Sequence, residues 1–199
     1  MIDKNTRQKI IIATHNSGKL REFRALLDDR VYEVTSSGEL GLADTEETGK
    51  TFVENALLKA RNVLAFAEGS VAVGEDSGLC VRALGGEPGI HSKRWAEEQG
   101  GMKAAMQRLD ELLKDKEDRA AFYVCVMAAV FADGTEKIFE GRVDGKIVWP
   151  MRGERGFGYD PVFLPDGETR TFAEMTDGEK GALSHRGRAL RKFVAAMAG

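Results

Sequence analysis

The sequence has little of what marks several large classes of protein. Its 199 residues include only two cysteines and four prolines, and no C-x-x-C pair, so we expect neither a disulfide scaffold nor a zinc site. No apolar stretch approaches the roughly 20 residues that span a bilayer. The apolar run near the N-terminus is too short for a signal peptide. The expected protein is cytoplasmic and has no membrane partner.

An excess of positive charge is missing as well. Lysine and arginine together number 29 and aspartate and glutamate 32, which gives a formal net charge of −3. Proteins that bind nucleic acid polymers through bulk charge carry a strong basic excess, so we exclude that class of partner. Internal repeats are absent, and a compact chain of this length buries roughly 70% of its unfolded surface. One domain over residues 1–199 is therefore expected.

The pattern of apolar residues predicts strands and helices that alternate early in the chain. Asp133–Gly134, between two later apolar runs, predicts a hairpin, and together these features indicate an α/β fold with a mixed sheet. Cys80 and Cys125 lie within apolar runs, which predicts buried thiols, with one disulfide as the alternative. The predicted strands cover 9–14, 31–35, 71–74, 79–83, 120–132 and 135–148, and the predicted helices cover 18–28, 51–67 and 101–114.

Two capping patterns predict helices near the C-terminus. Thr176 and Glu179 have the spacing of a capping box, which predicts a short helix. Ser184 is placed to cap the final helix. The predicted buried stripe of that final helix contains Leu190, Phe193, Val194 and Met197.

The segment THNSGK, residues 14–19, joins the first predicted strand to the first predicted helix. Such a turn aims backbone N–H groups and a helix N-terminus at one point, which suits a phosphate. Lys19 adds a positive charge there, although the segment lacks the Walker A pattern. The alternative is an ordinary strand–helix turn with a solvated lysine.

Carboxylates fall in two places where they could hold a metal ion. Glu46 and Glu47 lie in a polar loop before the long helix, and Glu75 and Asp76 follow a short apolar strand, with Ser77 beside them. Acidic side chains at the end of a strand suit a hard cation such as Mg²⁺. The alternative is a solvated turn built from Asp and Gly.

Aromatic residues in the segment GFGYDP form a third candidate site. Phe157 and Tyr159 flank a glycine, and Asp160 follows them. Rings on a loop can stack on a flat base, and an Asp can accept hydrogen bonds from the N–H groups of a base. The alternative is a core Phe and Tyr that close a turn.

Basic residues surround the predicted start of the final helix. Lys180, His185 and Arg186 lie there, although cations at a helix N-terminus oppose the helix dipole. This unfavourable placement indicates that these residues have a functional role. The side chains of His and Arg can donate hydrogen bonds to an anion or to a carbonyl oxygen.

Six motifs follow one another along the chain with compatible spacing. They are T-x-N-x-x-K, E-E-T-G-x-T-F-x-E-N-A-L-L-K-A, D-S-G-L, L-G-G-x-P-G-I-x-S, G-F-G-Y-D-P and E-K-x-x-x-S-H-R-G-x-A-L. Together they resemble the inosine triphosphate pyrophosphatase family, over a stretch from about Lys9 to Val194. One such motif alone is weak, whereas six in this order are specific.

The resemblance implies a fold and an activity. The fold is α/β, with an elongated mixed central sheet flanked by helices and two lobes with the active-site cleft between them, and the molecule is a homodimer. The activity is Mg²⁺-dependent hydrolysis of the purine nucleoside triphosphates dITP, ITP and XTP to the monophosphate and pyrophosphate. Two alternatives are a nucleotide sensor without hydrolysis and a pyrophosphatase for modified pyrimidine nucleotides; the S-H-R-G segment favours purines.

The resemblance also assigns residues to the site. Asp76 is the expected proton acceptor, and it holds Mg²⁺ together with Glu46 or Glu47. Glu75 stands where relatives often have Asp, so its share in the metal site stays open, and His91 stands where an aromatic phenol is common. The residues expected to bind substrate are Thr14, His15, Asn16, Ser17, Gly18, Lys19 and Lys59 at the triphosphate, Ser77, and Phe157, Gly158, Tyr159, Asp160, Lys180, His185 and Arg186 at the base.

Overall fold

A mixed sheet of six strands organises the fold of the described residues, which in this computed structural model are 7–67 and 70–197. The strands are β1 (Gln8–Ala13), β2 (Tyr32–Ser36), β3 (Val71–Val81), β4 (Ala120–Val130), β5 (Glu136–Ile147) and β6 (Phe163–Pro165). They lie in the order β2-β1-β3-β4-β5-β6. β1 is parallel to β2 and β3, whereas β5 is antiparallel to β6. The mixed α/β sheet predicted from the sequence is confirmed.

The sequence predicts all but one of the helices of the described residues, three from apolar periodicity and two from capping side chains. The helices are α1 (Ser17–Leu26), α2 (Phe52–Leu64), α3 (Ser92–Glu98), α4 (Met102–Leu112), α5 (Asp177–Leu183) and α6 (His185–Met197). The predicted helix 51–67 ends earlier, at Leu64. The sequence does not predict α3, because two helical turns are too short to show a periodic apolar stripe.

Both predicted caps near the C-terminus are present. Thr176 and Glu179 form a reciprocal capping box at the start of α5. Ser184 caps α6, since its Oγ accepts a hydrogen bond from the backbone N–H of Gly187 at 3.1 Å. His185 and Arg186 therefore occupy the first turn of α6, as the sequence indicates.

The chain divides into two compact units that interleave along the sequence. The first unit comprises Met1–Asp76, Val126–Glu140 and Ala189–Gly199, and the second comprises Ser77–Cys125 and Gly141–Arg188. Strands β3, β4 and β5 each begin in one unit and end in the other. The single domain over residues 1–199 and the cleft between two lobes stay predictions.

In the first unit, α2 packs directly on β3. Ala56 and Ala60 are fully buried. A Cβ added to Gly74 would lie 1.9 Å from the carbonyl oxygen of Ala56 and 2.5 Å from the amide nitrogen of Ala60. Only glycine permits this backbone-to-backbone approach. The contact places the side chains of α2 next to the residues that follow Gly74 in β3.

The segment EDSG corrects one expectation from the sequence. The strand predicted to end at residue 74 continues through Glu75, Asp76 and Ser77 as part of β3, so these residues lie within a strand and not at its end. Gly78 has no left-handed φ, and a Cβ on it would lie 2.1 Å from the carbonyl oxygen of Gly89. The glycines that suggest a turn serve close packing, and pairing within the sheet overrides the turn propensity.

The core of the second unit is rich in aromatic residues. Tyr123 of β4, Phe163 of β6 and Phe172 pack together, with ring centroids of Tyr123 and Phe163 4.8 Å apart. Cys80 and Cys125 are buried thiols that form no disulfide with each other, and burial raises the pKa of the Cys80 thiol to about 11. Buried thiols, and not the alternative disulfide, are confirmed.

The predicted hairpin is also present. β4 and β5 are neighbours in the sheet, and the backbone N–H of Phe131 donates to the carbonyl oxygen of Thr135 at 2.9 Å across the turn. Gly134 has a φ of 83°, a conformation that favours glycine.

Across residues 7–67 and 70–197, no helix has the length and apolar character to cross a membrane.

Candidate active site

The segment 14–19 forms a tight turn at the start of α1. Asn16 caps the helix, since its Oδ1 accepts hydrogen bonds from the backbone N–H groups of Gly18 at 2.9 Å and Lys19 at 3.1 Å. Its own N–H donates to the Oγ1 of Thr14. His15 is exposed, and its Nε2 lies 2.7 Å from the carbonyl oxygen of Leu42. The turn is the predicted one, and the N-cap side chain takes two of the amides expected to face a phosphate.

A group of three carboxylates and two lysines lies in the first unit; we call Lys19, Glu47, Lys59, Glu75 and Asp76 the carboxylate–lysine cluster. The Nζ of Lys59 lies 2.6 Å from Oε1 of Glu47 and 3.0 Å from Oδ1 of Asp76. The Nζ of Lys19 lies 2.6 Å from Oε2 of Glu75. The structure thus joins residues from four segments that are far apart in the sequence.

Burial and crowding of like charge set the protonation behaviour of this cluster. Burial raises the pKa of Asp76; Lys59 opposes this shift, and Glu47 and Glu75 add to it. For Lys59, burial acts to lower the pKa, but the carboxylates of Asp76 and Glu47 outweigh it and raise the pKa. Burial is thus the main cause of the shift at Asp76, whereas the neighbouring carboxylates cause the shift at Lys59.

The donor chemistry of the cluster fits a hard cation. Its acceptors are carboxylate oxygens, and they outnumber the ammonium groups that balance them. Among the described residues, no three acidic, histidine or cysteine side chains group closely enough to hold an ion by themselves. Proteins usually hold Mg²⁺ through one or two carboxylates together with substrate phosphates and water. Glu47 belongs to the cluster, whereas Glu46 is exposed.

A second group combines cations with aromatic rings in the second unit; we call Tyr123, Phe157, Asp160, Lys180, His185 and Arg186 the aromatic–cation cluster. The Nζ of Lys180 lies 2.7 Å from Oδ2 of Asp160 and 4.4 Å from the ring centroid of Phe157. The guanidinium carbon of Arg186 lies 5.4 Å from the same centroid. One ring therefore stands beside both cations.

His185 and Arg186 contact different partners. The imidazole of His185 stacks on the ring of Tyr123, with centroids 4.6 Å apart and planes 6° from parallel. Arg186 donates from Nη2 to the Oγ of Ser77 at 3.2 Å. Arg186 is only 2% exposed, so its position depends on these contacts.

The two aromatic residues of the segment GFGYDP have different environments. Tyr159 is 2% exposed and lies in the core, where its hydroxyl donates to the carbonyl oxygen of Ser92. Asp160 accepts a hydrogen bond from the backbone N–H of Phe157 in addition to its ion pair with Lys180. Tyr159 thus has the core role, whereas Phe157 and Gly158 are partly exposed.

Comparison with known proteins decides the family. A model of the Ham1 family matches residues 10–196. The chain belongs to the Ham1 family. It is similar to a protein of Gluconobacter oxydans named dITP/XTP pyrophosphatase, with 47% identity over 94% of this chain and 89% of that protein. A protein of the same name from Caulobacter vibrioides is 48% identical over 95% of this chain and 97% of that protein.

Solved structures of Ham1 proteins share the fold. The Ham1 protein of Staphylococcus aureus has a TM-score of 0.84 and 39% identity, and the match covers 96% of this chain and 99% of that one. The Ham1 protein of Coxiella burnetii has a TM-score of 0.85 and 38% identity, covering 96% and 98%. The family resemblance drawn from six motifs and the expectation of a nucleoside triphosphate pyrophosphatase are confirmed.

Two residues that touch the predicted Ham1 site are missing from the sequence prediction. Asn55 donates from Nδ2 to Oδ2 of Asp76 at 3.2 Å, and Tyr123 stacks on His185. Asn55 could have been found, because it lies four residues before Lys59 and so on the same face of α2. Tyr123 carries no comparable pattern, since it sits in a strand whose residues are mostly apolar.

Proposed function

We propose that this chain hydrolyses non-canonical purine nucleoside triphosphates, namely dITP, ITP and XTP, between the α- and β-phosphates. The products are the nucleoside monophosphate and pyrophosphate, and Mg²⁺ is the cofactor. One observation carries the proposal: a buried carboxylate, Asp76, lies between an ammonium group and an amide, with further carboxylates close by. The names of the relatives support the substrate class.

The carboxylate–lysine cluster binds the triphosphate and supplies the general base that accepts a proton. Lys59 and Lys19 carry the positive charge that a triphosphate requires. The turn 14–19 places Lys19 at the start of α1. Such fixed charges stabilise the charge that develops on the leaving pyrophosphate. When the nucleotide binds, a phosphate oxygen replaces Glu75 at Lys19 and Glu47 at Lys59, and Lys59 keeps its contact with Asp76.

Asp76 accepts a proton from the attacking water. Its pKa is raised by burial, and a base works best when its pKa lies nearer the working pH. Glu47 and Asp76 are the carboxylates that would hold Mg²⁺, with Glu75 beside them. When bound, Mg²⁺ neutralises charge on the phosphate oxygens.

The aromatic–cation cluster recognises the purine of the nucleotide. Hypoxanthine and xanthine carry an acceptor oxygen at position 6, whereas adenine carries an amino group that donates. His185 and Arg186 supply donors, so an adenine would leave two donors facing each other, at a cost of roughly 1–3 kcal/mol for each unpaired group. Phe157 offers a ring face for stacking, and Lys180 and Asp160 hold the loop that carries it.

A direct assay tests the proposal. The protein is incubated with ITP, XTP, dITP, GTP, ATP or dUTP, with and without Mg²⁺, and released pyrophosphate is measured. We expect release from the first three nucleotides in the presence of Mg²⁺. Binding without release would favour a nucleotide sensor, and preferential release from dUTP would favour a pyrimidine enzyme. The homodimer and the cytoplasmic location stay predictions.

A further inference from the structure

Asn55 is an uncharged side chain that contacts Asp76 of the carboxylate–lysine cluster. It lies on α2, four residues before Lys59, and is 2% exposed. We propose that Asn55 is a positioning residue, which orients the carboxylate of Asp76 for proton transfer and ties it to the loop that carries Glu47. The inference rests on the proposed function, since it assigns Asn55 a part in that same reaction.

The orientation of the Asn55 amide follows from its neighbours. The backbone N–H of Gly49 lies 2.8 Å from Oδ1 of Asn55, and a backbone N–H can only donate. The amide oxygen must therefore face Gly49, so that the amide NH₂ faces Asp76. Nδ2 donates to Oδ2 of Asp76 at 3.2 Å, and this oxygen must act as an acceptor.

The two oxygens of Asp76 are thus held by two different donors. Oδ1 accepts from Nζ of Lys59 at 3.0 Å, and Oδ2 accepts from Asn55. Because both donors belong to α2, the carboxylate cannot rotate about its Cβ–Cγ bond without losing one of them. A rigid carboxylate presents its remaining lone pairs in one direction, which is what proton transfer from a positioned water requires.

The other end of Asn55 reaches the loop before α2. A Cβ added to Gly49 would lie 2.6 Å from Oδ1 of Asn55, so the loop backbone closes tightly on the amide. This loop carries Glu47, whose Oε1 lies 2.6 Å from Nζ of Lys59. The side chain of Asn55 therefore connects the loop and Asp76 to α2, the helix that also carries Lys59.

The same helix provides a matched control. Asn62 also donates from Nδ2 to a side chain of the loop, the Oγ1 of Thr45 at 2.8 Å, but it is exposed and makes no contact with Asp76 among the hydrogen bonds described. Asn62→Ala removes a link between α2 and the loop and leaves Asp76 untouched. Asn55→Leu keeps the size of the side chain and removes both amide ends. Asn55→Asp keeps the acceptor for Gly49 and removes the donor.

The experiment measures kcat and KM for XTP hydrolysis by the full chain and these three variants, together with thermal unfolding of each. The assay runs at alkaline pH, which favours ionisation of the carboxyl introduced in Asn55→Asp. We expect Asn55→Leu and Asn55→Asp to lower kcat about 10–100-fold, the usual loss when a residue that orients a catalytic group is removed. KM of Asn55→Leu stays within about threefold, because the lysines remain. Asn62→Ala keeps both constants.

Each other outcome has a defined meaning. If folded Asn55→Leu keeps the kcat of the unchanged protein, or if only its KM rises, the inference is overturned. If Asn55→Asp retains full kcat while Asn55→Leu loses it, Asn55 only anchors the loop at Gly49, and orientation of Asp76 is overturned. If Asn55→Leu does not fold, Asn55→Asp alone decides. If the unchanged protein and Asn62→Ala both release no pyrophosphate, the proposed function fails, and the inference falls with it.

Discussion

The two clusters have opposite balances of charge. In the carboxylate–lysine cluster, Glu47, Glu75 and Asp76 outnumber Lys19 and Lys59, and burial raises the pKa of Asp76. In the aromatic–cation cluster, by contrast, cations outnumber the single buried carboxylate, and two rings lie beside them. Under the proposed function, the first arrangement holds Mg²⁺ and the triphosphate, whereas the second offers hydrogen-bond donors to the purine. Changes in the first should alter rate, and changes in the second should alter selectivity.

Removal of divalent metal should have the largest effect, because under the proposed function Mg²⁺ neutralises charge on the phosphate oxygens during the reaction. We expect pyrophosphate release to vanish in EDTA, to return with Mg²⁺ and to return in part with Mn²⁺, since the donors are all oxygens. The unfolding midpoint, measured in the same buffers, separates loss of chemistry from loss of fold. Full activity in the chelator would contradict the assignment of the carboxylates.

Asp76→Asn tests the base within the same cluster. The change keeps the size of the side chain and removes both the charge and the proton acceptor, and loss of a general base typically lowers the rate 10²–10⁴-fold. Affinity for the nucleotide should fall much less, because Lys19 and Lys59 remain. The measurements are kcat from pyrophosphate release and nucleotide affinity by calorimetry.

A matched control for this change lies on the surface of the second unit. Asp118 also pairs with a cation, Arg82, but it belongs to neither cluster. Asp118→Asn should keep the turnover of the unchanged protein. Near-full turnover of Asp76→Asn would leave Asp76 as a structural strand residue and would remove the main difference between the clusters.

Truncation of His185 or Arg186 to alanine should change selectivity. If these side chains donate to the oxygen at position 6, the ratio of kcat/KM for ITP over ATP should fall by about tenfold, or roughly 1.4 kcal/mol of lost discrimination. A role at the phosphates would instead weaken both nucleotides together and leave the ratio unchanged. Circular dichroism checks the fold, because Arg186 is almost fully buried. Arg188→Ala, on the exposed side of the same helix, is the control and should keep the ratio.

The smallest expected effect concerns the helix that carries Lys180. Hydrogen bonds from the Arg170 side chain and the Thr176 backbone lower the pKa of Glu179 from 4.5 to about 2. A lowered pKa means that the carboxylate stabilises the fold above its ordinary pKa and that this contribution is lost as the pH falls towards 2. Glu179→Gln keeps a side chain suited to the capping box and removes the charge.

Unfolding midpoints across this pH range test the effect. Glu179→Gln should unfold slightly earlier than the unchanged protein at neutral pH, and the difference should shrink between about pH 4.5 and pH 2. The control is Glu98→Gln, which removes an exposed carboxylate outside the capping box. A constant gap at all pH values would show that the charge of Glu179 does not stabilise α5.

Local patterns predict many elements of the fold from the sequence. Apolar periodicity predicts α1, α2 and α4, Asp133–Gly134 predicts the hairpin, and capping side chains predict the starts of α5 and α6. These features depend on neighbours within a few residues along the chain, where rotation about the backbone and short hydrogen bonds decide the outcome. Six motifs in order likewise predict the family, because their residue types and spacing are specific without any knowledge of distance.

Only the tertiary structure decides how those motifs are used. Asp76 lies inside β3 and not at a strand end, because sheet pairing outweighs the turn propensity of Asp and Gly, and because Gly74 lets α2 approach the strand. Asn55 contacts Asp76 across 21 positions of sequence, and Tyr159 lies in the core although its motif also suits base stacking. Charge balance, burial and the direction of a hydrogen bond all depend on which distant segments meet, and that information resides in the packing of the whole chain.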